Sequence, residues 1–298
     1  DDFLYVQVEI CNVSDKQKIV TLLADLESRK ADAKVLLEPH CRITEEIRIP
    51  VDGLGKWSPD HAVRHALHVK LMQDSQTVQD ERIFVGIRDI RYDNQTGFWL
   101  NGQNMKMYGV CLHSDAGALG GVYDYGVWAG RLDKLKEIGA NAIRFAHNPP
   151  SKELLDLCDK MGFLVMVESF DTWEAAKPHA EKGYNLHFNE WWKQDTQDMV
   201  KNARNHPCVV IYSVGNEIRD NLNNEDGFRK YRQQQDLIHE LDPTRPVTMA
   251  LFRPNSSGVY RNGFAEMMDV FILSALCSSS VISSLISALA SAAWTLAV

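Results

Sequence analysis

The sequence predicts two folds in tandem, an antiparallel β-sandwich over residues 1–90 followed by an α/β unit with a parallel sheet over 91–269. Three observations carry this. The first part reads as short apolar or alternating runs separated by turn-prone pieces, with no helical period of convincing length. From residue 92 onward, strand-like runs alternate with amphipathic helical stretches, the pattern of parallel strands with helical crossovers. From 270 to 298 that pattern gives way to an apolar, Ser- and Ala-rich tail with no charge, Gly or Pro.

The strands of the first part are FLYVQVEI, KIVTLLADLE, AKVLLEPH, EEIRIPV, HALHVKLM and ERIFVGIRDI, divided by NVSDKQ, DGLGKWSPD and QDSQTVQD. In the second part MKMYGVCLH is a strand, and VWAGRLDKLKEIGA is an amphipathic helix closed by Gly139. NAIRFAHN is the next strand. SKELLDLCDKMG is a helix with Ser151 as N-cap and with Glu153 and Asp156 near its start. FLVMVESF is a strand, and NEWWKQDTQDMVKNARNHP is a helix ended by Pro207. VVIYSVGNEI is a strand, GFRKYRQQQDLIHELDP a helix, PVTMALF a strand, and MMDVFIL a further strand. An open doubly wound sheet and a (β/α)8 barrel both fit this alternation. Neither GxGxxG nor GxxxxGK(S/T) follows the first strand, so nucleotide binding has little support.

Composition bounds the function. The chain has 298 residues, 45% hydrophobic and 24% charged, with a net charge of −8 and acids and bases interspersed. That balance argues against a nucleic-acid surface, which needs a basic face. Six cysteines stand without a CxxC pair, so buried free thiols are expected rather than a disulfide framework or a zinc site. The sequence opens at Asp1 on a strand-like run with no visible signal peptide.

Polar groups gather at the carboxyl ends of four consecutive strands: His113 and Asp115; Arg144, His147 and Asn148; Glu168, Asp171 and Trp173; Asn216 and Glu217. In a barrel these ends share the rim where active sites sit. Singly, each has a structural reading. His113 could be a core histidine, Arg144 an ion-pair partner of Glu168, Asp171 a helix cap, Asn216 a turn residue and Glu217 a solvated acid. Trp173 could be loop packing, although an exposed indole beside carboxylates suits the apolar face of a sugar. Gly215, just before Asn216, is expected to let the backbone turn sharply. The combination points to a site.

KWSPDHAVRHALHVKL with RIFVGIRDI, FWLNGQNMKMYGVCLH, GANAIRFAHNPPSKELLDLCDKMGFLVMVESFDTW and HPCVVIYSVGNEI together resemble glycoside hydrolase family 2, the β-galactosidase and β-glucuronidase family. The resemblance covers about residues 1–270. It implies an immunoglobulin-like sandwich over 1–90 and a catalytic TIM barrel from 91. It implies that Glu217 is the general acid/base and that Asn216 binds the sugar 2-hydroxyl. His147 matches a position near the cleaved bond. His113, Asp171 and Trp173 match the lining of the sugar pocket, and Asn148 and Arg144 join the substrate-binding set. Such a retaining enzyme needs a protonated carboxyl and a second, nucleophilic carboxylate about 5–5.5 Å away. The acid needs a raised pKa, which partial burial provides. No cofactor is required. Some members bind Mg²⁺ or Na⁺, but no acid cluster here commits to a metal. Related enzymes are often homo-oligomers and occur in the bacterial cytoplasm, the periplasm or outside the cell.

The resemblance implies a nucleophilic Glu at the end of a seventh barrel strand, whereas this pattern reaches about six of eight, so no nucleophile is expected in the chain. Glu266 precedes the sixth strand and is a poor candidate. The tail could span a bilayer, since ~20 apolar residues suffice, although its serines and its place inside a barrel speak against membrane insertion. It could be a buried helix. The favoured reading is a truncated or frame-shifted end with no homologous role, which would leave open sheet edges and a chain prone to aggregate. The expected function is retaining β-glycosidase chemistry on a terminal β-linked sugar, β-galactoside foremost. β-Glucuronide, β-mannoside and a non-catalytic carbohydrate-binding remnant are the alternatives.

Overall fold

The computed structural model describes residues 3–178, 180, 182–251 and 257–270, together with the backbone of 293–294. The chain divides into two compact units, Asp1–Trp57 with His61–Arg88, and Ser58–Asp60 with the residues from Asp89 onward.

The first unit is built from β1 (Phe3–Cys11), β2 (Lys18–Leu26), β3 (Arg29–Leu37), β4 (Arg42–Pro50), β5 (His65–Gln73) and β6 (Gln76–Val85). β1 pairs antiparallel with β4, and the other four form an antiparallel sheet in the order β3-β2-β5-β6. Alternation explains the layering. Val20, Leu22, Ala24 and Leu26 of β2 point into one apolar cluster that also takes Val6 and Ile10 of β1, Leu37 of β3 and Ile49 of β4, while Ile19 is exposed. Both sheets therefore contribute their inward faces to the same core. The β2–β3 and β5–β6 connections are two-residue turns, and Glu27, Ser28, Asp74 and Ser75 all have positive φ, as a type I′ hairpin requires. The second turn corrects the sequence reading: QDSQTVQD is not a loop, because only Asp74 and Ser75 turn and Gln76 onward is strand.

The second unit begins with a small antiparallel sheet of β7 (Ile90–Asp93), β8 (Gly97–Leu100) and β9 (Gln103–Asn104). The run ERIFVGIRDI is thus two strands, not one. There follow β10 (Gly109–Leu112), α1 (Tyr125–Glu137), β11 (Ala142–Phe145), α2 (Lys152–Met161), β12 (Leu164–Glu168), α3 (Phe188–Ala203), β13 (Val209–Asn216), α4 (Glu225–Leu241) and β14 (Val247–Ala250). The strands are parallel neighbours in chain order. Every residue of β11 to β14 is buried, which is why these runs are continuously apolar rather than alternating. Local chemistry sets the helix ends. The Oγ of Ser151 accepts from the Leu154 N–H, and Gly162 closes α2 at φ 72°. Asn224 caps α4 by accepting from the Gly227 N–H.

Two expectations are corrected here. MMDVFIL does not form a strand over its described part: Ala265–Met267 is a 3-10 turn and 268–270 is bent, while its last residues lie outside the described ones. The thiols are free but not uniformly buried, since Cys158 and Cys208 are buried, Cys41 and Cys111 are partly open, and Cys11 is exposed; Cys277 lies outside the described residues. The tail readings also fall outside them, save that the backbone of Ala293–Trp294 pairs antiparallel with Val110 and Gly109. Among the described residues no helix is long and apolar enough to cross a membrane.

Candidate functional site

The carboxyl ends of β10 to β13 carry the predicted residues. Arg144 is the third residue of β11, Glu168 the last of β12 and Asn216 the last of β13, while His113 follows β10 directly and His147 lies two residues beyond β11. Parallel strands start and stop together, so these positions fall on one edge of the sheet.

At their centre is a buried ion pair. The Arg144 guanidinium donates to both oxygens of Glu168 (Nη2 to Oε1 2.9 Å and to Oε2 2.7 Å, Nε to Oε2 3.1 Å). His147 Nδ1 lies 2.7 Å from Glu168 Oε1, and the Ser213 hydroxyl donates to Oε2 at 2.7 Å. Arg144 and Glu168 are 6% and 0% exposed, so both oxygens of Glu168 are spent on protein partners. Burial pushes the Glu168 carboxyl up, but the His147 hydrogen bond and the Arg144 charge outweigh it and hold the carboxyl below its ordinary value. Burial likewise pulls Arg144 down, and Glu168 more than restores it. Of the two readings of Arg144, the structure realises the ion pair.

Arg144 reaches a third strand: Nη2 also donates to Asn216 Oδ1 at 2.9 Å. Asn216 Nδ2 in turn donates to Asp171 Oδ1 at 3.1 Å, and Lys177 Nζ donates to the same oxygen. Burial raises the Asp171 carboxyl, and Lys177 and Asn216 together hold it low. Asp171 therefore braces Asn216 rather than capping a helix. The Asn216 amide is fixed at both ends, its oxygen by Arg144 and one N–H by Asp171, which leaves its second N–H for a ligand.

Glu217 follows with φ 48°, a left-handed conformation that a residue with a Cβ adopts at a cost of about 1–2 kcal/mol. Three features enforce it. Its N–H donates to the Ala250 carbonyl at 2.8 Å. The pairing of β13 with β14 slips between Ser213 and Asn216, so that β13 carries an extra residue there, as in a bulge that re-aims the next side chain. Ile218, 1% exposed, folds back under Gly215, where a Cβ would stand 2.7 Å from the Ile218 side chain and 3.2 Å from Trp173 Nε1. The sequence reading of Gly215 is thus corrected. It does not supply the turn, since the positive φ belongs to Glu217; it makes room for two side chains. Glu217 itself is half-buried.

Trp173 departs from the expectation of an exposed indole. It is 0% exposed, donates from Nε1 to the Val214 carbonyl at 2.8 Å and stacks on Phe188 with centroids 6.1 Å apart. It fastens its loop to β13 and offers no open face to a sugar. His113 is exposed and meets the His147 ring edge-on at 5.0 Å. Asn148 is exposed and, with Asp171 and Tyr184, lines a cavity of about 410 Å³. The structure therefore links Arg144, His147, His113, Asn216 and Asp171 in one chain of contacts, with Glu217 adjoining Asn216. Sequence reasoning left Ser213 and Lys177 out of the site. Ser213 had a signal, a hydroxyl within an apolar strand; Lys177, in an irregular loop, had none.

One group among the described residues could hold a metal. The ligand atoms of Asp156, Asp159 and His206 lie within 4.8 Å of one another. Asp159 is already committed, with one oxygen 2.7 Å from His206 Nδ1 and the other accepting from the Cys208 N–H at 2.9 Å. The group joins α2 to the residues that lead into β13, at the end of the sheet opposite Glu217.

A family model described as "Glycosyl hydrolases family 2, TIM barrel domain" matches residues 92–274. A β-galactosidase of Bacteroides ovatus is 32% identical over 303 aligned residues, covering 89% of this chain and 35% of that protein. A human β-glucuronidase is 31% identical over 267, covering 86% and 39%. A crystal structure of a glycosyl hydrolase family 2 member from Bacteroides cellulosilyticus superposes with a TM-score of 0.83 at 31% identity, over 90% of this chain and 35% of that one. The chain thus spans little more than a third of the length of the relatives it matches.

Proposed function

The chain belongs to glycoside hydrolase family 2, and from that membership we propose that it carries the acid/base part of a retaining β-glycosidase site, with a terminal β-galactoside as the leading substrate. In this reading the first unit is the immunoglobulin-like domain and residues 91–269 are the catalytic TIM-barrel portion. The observation that carries the proposal is the pair at the end of β13: Asn216, locked by Arg144 and Asp171 with one N–H to spare, followed by Glu217 in a strained turn.

This placement supports the following chemistry. The second N–H of Asn216 donates to the sugar 2-hydroxyl, a bond that strengthens as the ring approaches the oxocarbenium-like transition state. The Glu217 carboxyl protonates the departing glycosidic oxygen and, after a covalent intermediate, its carboxylate takes the proton of the attacking water. His147 stands beside them with Nδ1 turned to Glu168, which leaves Nε2 for the substrate. The attacking carboxylate must be an acid other than Glu168 or Asp171. Glu168 has both oxygens saturated inside the sheet, and Asp171 is tied to Lys177 and Asn216.

A β-glucuronide is the second reading, supported by the human β-glucuronidase that matches most of the chain. The test is a panel of nitrophenyl β-galactoside, β-glucuronide and β-mannoside, assayed with and without azide. Azide can attack the anomeric carbon where a protein nucleophile is lacking and give the α-glycosyl azide. The proposal expects release of nitrophenol from the galactoside ahead of the other two. Absence of both binding and release with all three, from folded protein, would reject it.

A further inference from the structure

We propose that Lys230 is a positioning residue that clamps the two rim loops together and thereby holds Glu217 in its strained turn. The inference rests on the reading of Glu217 given above and adds a residue that lies outside the rim. Lys230 sits on α4 with its side chain 7% exposed, and its ammonium meets three carboxylates: Glu174 at 2.6 Å, Asp226 at 2.8 Å and Asp220 at 3.1 Å. These come from three separate pieces of chain. Glu174 follows Trp173 in the loop after β12, Asp220 lies three residues past Glu217 in the loop after β13, and Asp226 is one helical turn before Lys230 on α4.

Asp220 makes this a clamp rather than a surface cluster. Its side chain is 4% exposed; one oxygen faces Lys230, and the other accepts from the Ala175 N–H at 3.0 Å. The loop after β12 is thus sewn to the loop after β13 at Ala175–Asp220 and to the end of β13 itself at Trp173–Val214 and Asn216–Phe170. Glu217 lies inside the stitched stretch, held upstream by Asn216 and downstream by Asp220. A left-handed residue with a Cβ persists only where its surroundings over-determine it. A buried ammonium shared among three carboxylates can do that, because parting Asp220 from Lys230 would strip a buried carboxylate of its charge partner.

The test is residue-resolved hydrogen exchange on the whole chain with Lys230→Met and Lys230→Arg. The proposal expects protection of the Ala175 and Glu217 amides and of the Trp173 indole to fall by about tenfold or more in Lys230→Met. Amides within β11 and β12 should keep theirs, and Lys230→Arg should recover part of the loss. A uniform loss across the second unit would mean that Lys230 serves stability alone, and no change would mean that it holds nothing; either overturns the proposal. Should Lys230→Met not fold, Glu174→Gln removes a half-exposed arm of the clamp. It should shift the same three sites in the same direction, by about threefold, and unchanged exchange there overturns the proposal equally. A parallel titration with phenyl thio-β-galactoside keeps the two claims separate. Selective loosening with no binding by the unmodified chain rejects the galactoside reading and leaves the clamp standing. Binding that is unaffected by a proven loosening rejects the clamp's role in presenting the site.

Discussion

At Glu168 two opposing effects meet. Burial pushes the carboxyl's pKa up, and His147, Arg144 and Ser213 together reverse that. Its folded pKa lies below its ordinary value of 4.5, so its contribution to stability is fully present above that value and is lost as pH falls through the folded one. Urea unfolding at a series of pH values should show the unmodified chain losing stability more steeply than Glu168→Gln as pH drops below the ordinary carboxyl range. Arg144→Met leaves the carboxylate buried without its main partner and should cost about 3–5 kcal/mol, read as a lower urea midpoint at neutral pH. Gly215→Ala drives a Cβ into Ile218 and Trp173, and about 1–3 kcal/mol of overpacking is expected. Its larger effect should be on sugar binding, since the displaced groups flank Asn216. How far the rim was legible also divides by residue. Asn216 and Glu217 stand out because a run of buried strand residues ends abruptly on two polar ones. The fate of Trp173 was not readable, because its burial depends on a tertiary hydrogen bond to Val214 and on the space that Gly215 leaves.

At the scale of elements, strands and helices followed from periodicity and caps. Ser151, read as an N-cap, accepts from the Leu154 N–H at 3.3 Å. Ser151→Ala should therefore lower stability by about 1 kcal/mol, measured by chemical unfolding, with no change in sugar binding. The misses have physical causes. The β5–β6 turn uses Asp74 and Ser75 without glycine, so QTVQD looked like loop although it completes a hairpin. In ERIFVGIRDI an apolar run continues through Gly86, whereas the structure ends β6 at Val85 and begins β7 only at Ile90. MMDVFIL has the composition of a strand, yet 265–270 forms a 3-10 turn and a bend in which the Asp269 carboxylate accepts from the Val247 N–H and from Gln235. The bulge in β13 left a trace only in Gly215, and its consequence, the positive φ of Glu217, belongs to the pairing with β14.

For the molecule as a whole, the described chain divides into two compact units, the first with antiparallel sheets and the second built mainly on buried parallel strands. Family membership was carried by ordered motifs that span both. The central claim is that Glu217 protonates the leaving oxygen, and leaving-group dependence tests it most directly. Phenyl and dinitrophenyl β-galactosides should be compared, with azide present, in the unmodified chain and in Glu217→Gln. Phenol departs only with a proton, whereas dinitrophenol departs without one. A general acid contributes about 10²–10⁴-fold, so Glu217→Gln should lose activity of that order on the phenyl galactoside and little on the dinitrophenyl one. Equal loss with both substrates, or none with either, would contradict the claim.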